Sequence, residues 1–169
     1  MAVALSTPSL DDRDEFLEAV LASRALHAPW VDPPDTAERF DEYLERVRRP
    51  NQVCYLLRHS TCGGLIGFVN VNNVVLGAFR SGQLGYGAFS LHAGQGLMTE
   101  GLRAVLDDAF GRVGLHRLEA NIQPPNARSI ALVRRLGFEE EGFSARYLMV
   151  DGEWRDHQRW AITVEQWRP

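Results

Sequence analysis

Ten consecutive residues, Leu91-His92-Ala93-Gly94-Gln95-Gly96-Leu97-Met98-Thr99-Glu100, have the types and spacing to hold an anion. Two glycines feed directly into an amphipathic helix whose apolar residues recur at Leu97, Met98, Leu102, Val105, Leu106, Ala109, Phe110 and Val113, a repeat ending at Gly114. The first N–H groups of such a helix have no partner within it, and glycines let the backbone approach a ligand. A phosphate can therefore dock without a cationic side chain. A plain loop before a helix would read the same way, because Gly-x-Gly alone is a common pattern. Farther along, Glu119 falls on the polar side of an alternating segment with Arg117 two positions away, so it is either a proton acceptor or half of an ion pair. Asn126 and Ser129 lie one helical turn apart after Pro124-Pro125, where Asn126 is a natural N-cap and Ser129 an ordinary first-turn serine. His27, His59, His92 and His116 have no ligand spacing, and no metal site is expected.

The elements that must position these residues follow from periodicity. A short strand (Val3 to Ser6) precedes a helix with Leu10, Phe16, Leu17, Val20 and Leu21 on one side and Ser9 as candidate cap. Pro33-Pro34-Asp35-Thr36 opens a second helix marked by Phe40, Tyr43, Leu44 and Val47. Strands are expected at Gln52 to Arg58, Leu65 to Val71 and Gln83 to Phe89, and after the long helix at Arg117 to Ile122, with Leu118, Ala120 and Ile122 on one face. A helix from Asn126 to Leu136 stops at Gly137, and Phe143 to Val150 pairs with Trp154 to Thr163 around Asp151-Gly152. The class is α+β, a mixed and mostly antiparallel sheet with helices on its faces.

With 169 residues and 45% hydrophobic content, the chain reads as a single domain spanning residues 1–169. The opening Met1-Ala2-Val3-Ala4-Leu5-Ser6 has no basic region followed by a long apolar one, so neither a signal peptide nor a membrane span is expected. Cys54 and Cys62 fit no metal spacing, and Cys54 sits in an apolar run as a small core residue, which points to a reducing, cytoplasmic setting. A net charge of −4 argues against direct nucleic-acid binding.

Taken together, the loop Gly94-Gln95-Gly96-Leu97-Met98-Thr99-Glu100, Arg117-Leu118-Glu119-Ala120, Asn126-Ala127-Arg128-Ser129, Arg135-Leu136-Gly137-Phe138, Glu141-Gly142 and Asp151-Gly152-Glu153-Trp154-Arg155-Asp156 resemble the GNAT acetyltransferases, and within them the ribosomal-protein-alanine N-acetyltransferases. The match runs in order from about Gly67 to Trp160, with Pro29-Trp30 upstream. It implies the GNAT fold, a V-splayed sheet with helices on both faces, and acetyl-CoA as cosubstrate. One departure is Leu91, where the family usually carries Gln or Arg. Because the loop grips pyrophosphate mainly by main chain, that change weakens binding rather than removing it. Arg146 before Tyr147 replaces an acidic residue in relatives, so no base is placed there.

By the same resemblance, Gly94, Gln95, Gly96, Leu97, Met98 and Thr99 bind pyrophosphate, Phe89, Ser90 and Leu91 pair with the pantetheine amides as an added strand, and Asn126, Ser129 and Arg135 complete the cofactor contacts. Glu119 is the candidate base, acting directly or through water. Ser129 and Tyr147 compete as the acid that protonates the departing thiolate. Asp156 and His157 match the family but read equally well as structural. Trp30, Phe40 and Asn72 are expected to wall the acceptor site. An α-amine of pKa about 7.7–8.0 is roughly a tenth neutral at pH 7, whereas a lysine near 10.4 is neutral to under about 0.1%. A protein N-terminus is therefore the favoured acceptor, the alternatives being a small amine or antibiotic, or a noncatalytic acyl-CoA-binding regulator. The protein is expected to act as a monomer or homodimer.

Overall fold

The computed structural model describes residues 2–167; Met1 of the N-terminal stretch lies outside them. The elements are β1 (Val3–Ser6), α1 (Arg13–Ala22), α2 (Arg24–His27), α3 (Ala37–Val47), β2 (Val53–His59), β3 (Leu65–Val75), β4 (Ser81–Ala88), α4 (Leu97–Phe110), β5 (Arg117–Ile122), α5 (Ala127–Arg135), β6 (Glu139–Val150) and β7 (Glu153–Thr163). Seven strands form one sheet in the order β1-β2-β3-β4-β5-β7-β6. Neighbours are antiparallel except β4 and β5.

Strand alternation divides the core in two. Tyr55 and Leu57 of β2 join Leu118, Ala120 and Ile122 of β5 and Leu102, Val105 and Leu106 of α4 in one cluster. Cys54 and Leu56 point the opposite way, to Phe16 and Val20 of α1 and Phe40, Tyr43 and Leu44 of α3. Helices therefore cover both faces of the sheet.

Local sequence sets the ends of these helices. The Ser9 N–H donates to Asp12 Oδ2 at 2.7 Å ahead of α1, and Thr36 Oγ1 accepts from Arg39 N–H at the start of α3. Helix α5 ends as its sequence predicts: Gly137 takes φ +90°, its N–H bonds Arg134 O, and Phe138 N–H reaches back to Val133 O. Helix α4 stops at Phe110, earlier than the apolar repeat predicts: Gly111 is its C-cap, with its N–H donating to Asp107 O, and the chain turns through Gly114 at φ +75°. Leu10 and Leu21 are exposed, so the buried stripe of α1 narrows to Phe16 and Val20. The short α2 has no counterpart in the periodic pattern.

The decisive feature is where β4 and β5 part. Their parallel register runs from Ser81↔Arg117 to Leu84↔Ala120 and stops, although β4 continues to Ala88 and β5 to Ile122. Beyond that point β4 stays with β3 and β5 with β7, so the sheet opens into a V.

Gly67, opposite Ala88 in β3, allows this packing. A Cβ there would lie 2.5 Å from Gly87 O and 2.7 Å from Met98 Sδ. Gly67→Ala is expected to destabilise the fold by about 1–3 kcal/mol through overpacking. Thermal unfolding should record this as a Tm lower by several degrees.

Candidate active site

The V encloses a cleft of about 1380 Å³ that passes from one face of the sheet to the other. Its walls are Leu84 to Ala88 of β4 on one side and Ala120 to Gln123 on the other, with the start of α4 and one side of α5 above and the α2 region below. Side-chain alternation assigns these residues to faces. Leu84 and Tyr86 lie with Ala120 and Ile122 on the α4/α5 side, whereas Gly85 and Gly87 lie with Asn121 on the α1/α3 side.

On the α4/α5 side, the glycine loop is built as an anion receptor. Gly94 and Gly96 take φ +78° and +79°, and a Cβ at either would meet nothing within 4 Å. The N–H groups of Gly94, Gln95, Gly96, Leu97 and Met98 have no acceptor among the described residues, because the helical ladder begins only with Thr99 N–H on Gly96 O. Arg135, from the last turn of α5, donates to Thr99 Oγ1 at 3.1 Å and brings a cation to the same mouth. Free amides, a helix N-terminus and a guanidinium fit a pyrophosphate. Glu100 is structural: its Oε1 accepts the N–H groups of Ala2 and Val3 and ties β1 to α4.

At the other end of α5, Asn126 Oδ1 caps the helix by accepting Ser129 N–H at 3.2 Å, as its sequence predicts. Ser129 Oγ lies 2.6 Å from Tyr86 Oη, and both residues line the cleft. Sequence spacing does not single out Tyr86, whose signal is that of an aromatic isolated between Gly85 and Gly87. Burial pushes its phenol up to about 12, with the Ser129 hydrogen bond opposing.

Several expected residues lie elsewhere. Phe89 is buried in an aromatic cluster with its N–H on Ile66 O, Ser90 N–H bonds Ser23 Oγ, and Leu91 is 77% exposed. The strand edge left open beside the cleft is therefore Gly85 to Ala88, not Phe89 to Leu91. Phe40 is fully buried against Phe16 and cannot wall the cleft. Asn72 lies outside the lining, while Trp30 is part of it. Glu119 adopts the ion-paired alternative. Its carboxylate accepts from Arg117 Nε at 2.9 Å, and the same guanidinium holds Glu141, so Arg117 is shifted up by Glu141 first and then by Glu119 against its own burial. Glu119 does not reach the cleft lining.

On the α1/α3 side, His27, which has no ligand spacing in the sequence, and His157, which matches the family but reads equally well as structural, line the cleft. His27 is buried, Nε2 donates to Ala88 O at 2.8 Å, and Nδ1 has no partner; burial holds its pKa down despite that bond. His157 is 3% exposed with Nδ1 on Arg155 O at 2.9 Å. It is placed by a distortion of β6. The register slips between Ser144 and Leu148, Arg146 adopts φ +47°, and Asp156 Oδ1 accepts Arg146 N–H at 2.8 Å. This bulge sets the Tyr147 ring 6.1 Å from the His157 ring, while Tyr147 itself stays outside the lining. Among the described residues no group of His, Cys, Asp and Glu could hold a metal, and no helix is long and apolar enough to cross a membrane.

Comparison with known proteins gives consistent relatives. The pattern of the acetyltransferase (GNAT) domain matches residues 3–139. The [ribosomal protein uS5]-alanine N-acetyltransferase of Escherichia coli is 44% identical over 105 residues, 62% of this chain, which spans only 54% of that enzyme's length. The probable N-acetyltransferase YjcK of Bacillus subtilis is 34% identical over 125 residues, 74% of this chain and 69% of its own. The structure of Mycobacterium smegmatis RimJ in complex with CoA-disulfide superposes with a TM-score of 0.88 at 32% identity, covering 96% of this chain and 82% of that one.

The Tyr86 environment makes a pH prediction. Its folded pKa is raised above the ordinary value of 10 to about 12, so its contribution to stability is complete below pH 10 and is lost as pH rises through 12. Phenolate absorbance of the native protein at pH 11 should be the same in wild type and Tyr86→Phe. A smaller signal in the variant would place Tyr86 in a wetter setting.

Proposed function

This chain belongs to the acetyltransferase (GNAT) domain family, and we propose that it transfers the acetyl group of acetyl-CoA to the free α-amino group of a polypeptide. The observation that carries the reading is the cluster of unpartnered amides at Gly94 to Met98, closed by Arg135, at the mouth of a cleft that continues through the sheet. Acetyl-CoA bound there supplies an activated thioester. The chain's own residues do the rest. The loop amides take the pyrophosphate, the open edge of Gly85 to Ala88 offers strand-like hydrogen bonds to the pantetheine arm, and Ser129, oriented by Tyr86, delivers a proton to the departing sulfur.

The likeness to the [ribosomal protein uS5]-alanine N-acetyltransferase supports a protein N-terminus as acceptor. Physical chemistry favours the same choice. At pH 7 roughly a tenth of α-amines are neutral against under about 0.1% of lysines. A cleft that Glu119 does not line, its carboxylate being paired with Arg117 instead, suits the amine that is easier to deprotonate.

Two measurements test the reading. Turnover of peptides beginning with Ala or Ser should exceed that of an N-terminally blocked lysine peptide by more than about tenfold near pH 7. A kcat/KM for small amines or antibiotics well above every peptide would replace the peptide by a small-molecule acceptor. Gly96→Val forces a β-branched residue into φ +79° at a strain of about 1–2 kcal/mol or more, and CoA affinity by calorimetry should fall about tenfold. Unchanged affinity would remove the loop from the cosubstrate site.

A further inference from the structure

The cleft wall on the α1/α3 side holds acceptors that no donor of the protein satisfies. Asn121 Oδ1 and His27 Nδ1 are buried without a partner. His157 adds a third acceptor. Its Nδ1 faces a carbonyl oxygen, which has no proton to give, so Nδ1 carries the ring's hydrogen and Nε2 of the neutral imidazole is a bare lone pair. All three residues line the same cleft. Unsatisfied buried acceptors cost free energy until a donor arrives, and a primary amine arrives with N–H groups to spare. The opposite wall presents the hydroxyls of Ser129 and Tyr86, which are donors for a leaving group.

We propose that His157 is the base of the reaction, its Nε2 taking the proton of the acceptor amine. This rests on the acetyl-transfer reading above. As the amine nitrogen forms its bond to the acetyl carbon, the carbon–sulfur bond breaks. The proton lost by nitrogen goes to His157 Nε2 and that gained by the thiolate comes from Ser129. Solvent then takes the proton from His157 and restores that of Ser129, so charge and atoms balance. His27 is the poorer candidate, since its Nε2 is already spent on Ala88 O and its ring is held among Phe68 and Phe89. Glu119, with Oε1 held by Arg117 and its side chain outside the lining, does not have the position. The Asp156 contact that shapes the β6 bulge and the Arg155 carbonyl beneath the ring fix the imidazole's place and tautomer.

The experiment is chemical rescue. His157→Ala and His157→Gln should each lower kcat on an Ala-initiated peptide by about 100-fold or more while leaving the CoA dissociation constant within about twofold. Added imidazole should return part of the rate to His157→Ala, and pyrazole, a ring of the same size and far weaker basicity, should not. Undiminished kcat in both variants overturns the proposal. So does a loss that pyrazole repairs as well as imidazole, a loss that neither ring repairs, or a loss that comes with lost CoA affinity, each of which makes His157 a packing residue. A Glu119→Gln enzyme that loses the rate while His157→Ala keeps it would move the base to Glu119. Wild-type protein that acetylates no peptide and no amine would sink the acetyl-transfer reading itself, a result separate from an active wild type with active His157 variants.

Discussion

A parallel strand pair that stops pairing halfway along is the constraint on which the rest of this structure depends. Peptide N–H and C=O groups removed from water must find partners, and β4 beyond Leu84 has them on one side only, from β3. The open edge is tolerable because the gap is a wide, solvent-reaching cleft rather than a closed void. Other features follow from keeping that gap open. Tyr86 and Ser129 join β4 to α5 through a hydrogen bond across it, Gln123 Nε2 reaches Pro29 O beneath it, and α4 and α5 cover one side while the α2 region covers the other.

Helix α5 spans the cleft as a strut of fixed length. Its nine residues extend for roughly 13 Å. One end carries Asn126 and Ser129 beside Tyr86, and the other carries Arg135 beside Thr99. In the proposed reading these ends meet the reacting and phosphate portions of one long substrate. The N-cap at Asn126 and the glycine stop at Gly137 therefore set a working distance as well as a helix length.

Much of this was legible because it is local. The alternation of β5, the opening of α3 after Pro33-Pro34-Asp35-Thr36, the Gly137 stop and the Asp151-Gly152 turn are each dictated by a few adjacent residues, and the structure has them where the sequence puts them. The glycine loop was legible for the same reason. Long-range packing was less so. Periodicity marks Phe40 and Phe89 as apolar but does not say that they share one aromatic cluster around Phe16, away from the cleft. Spacing of two allows Glu119 to meet Arg117, yet it cannot reveal that Glu141, distant in sequence, completes the ion network. His157 depends on a bulge held by Asp156 across the hairpin, and no short window of sequence encodes that register slip.

The glycines of β4 have a consequence for how such a site diversifies. Gly85 and Gly87 leave this strand without side chains on the α1/α3 face where it borders the cleft, and an added Cβ at Gly87 would strike Phe68 within 2.7 Å. The floor on that side is bare backbone, blind to the identity of whatever lies on it. In the proposed reading discrimination among acceptors falls to Trp30, the α2 region and the β6–β7 hairpin, none of which supplies the unpartnered amides of the anion loop. In the proposed reading the two substrates therefore meet different parts of the chain, and a side chain exchanged on the acceptor wall leaves the backbone amides of the anion loop in place.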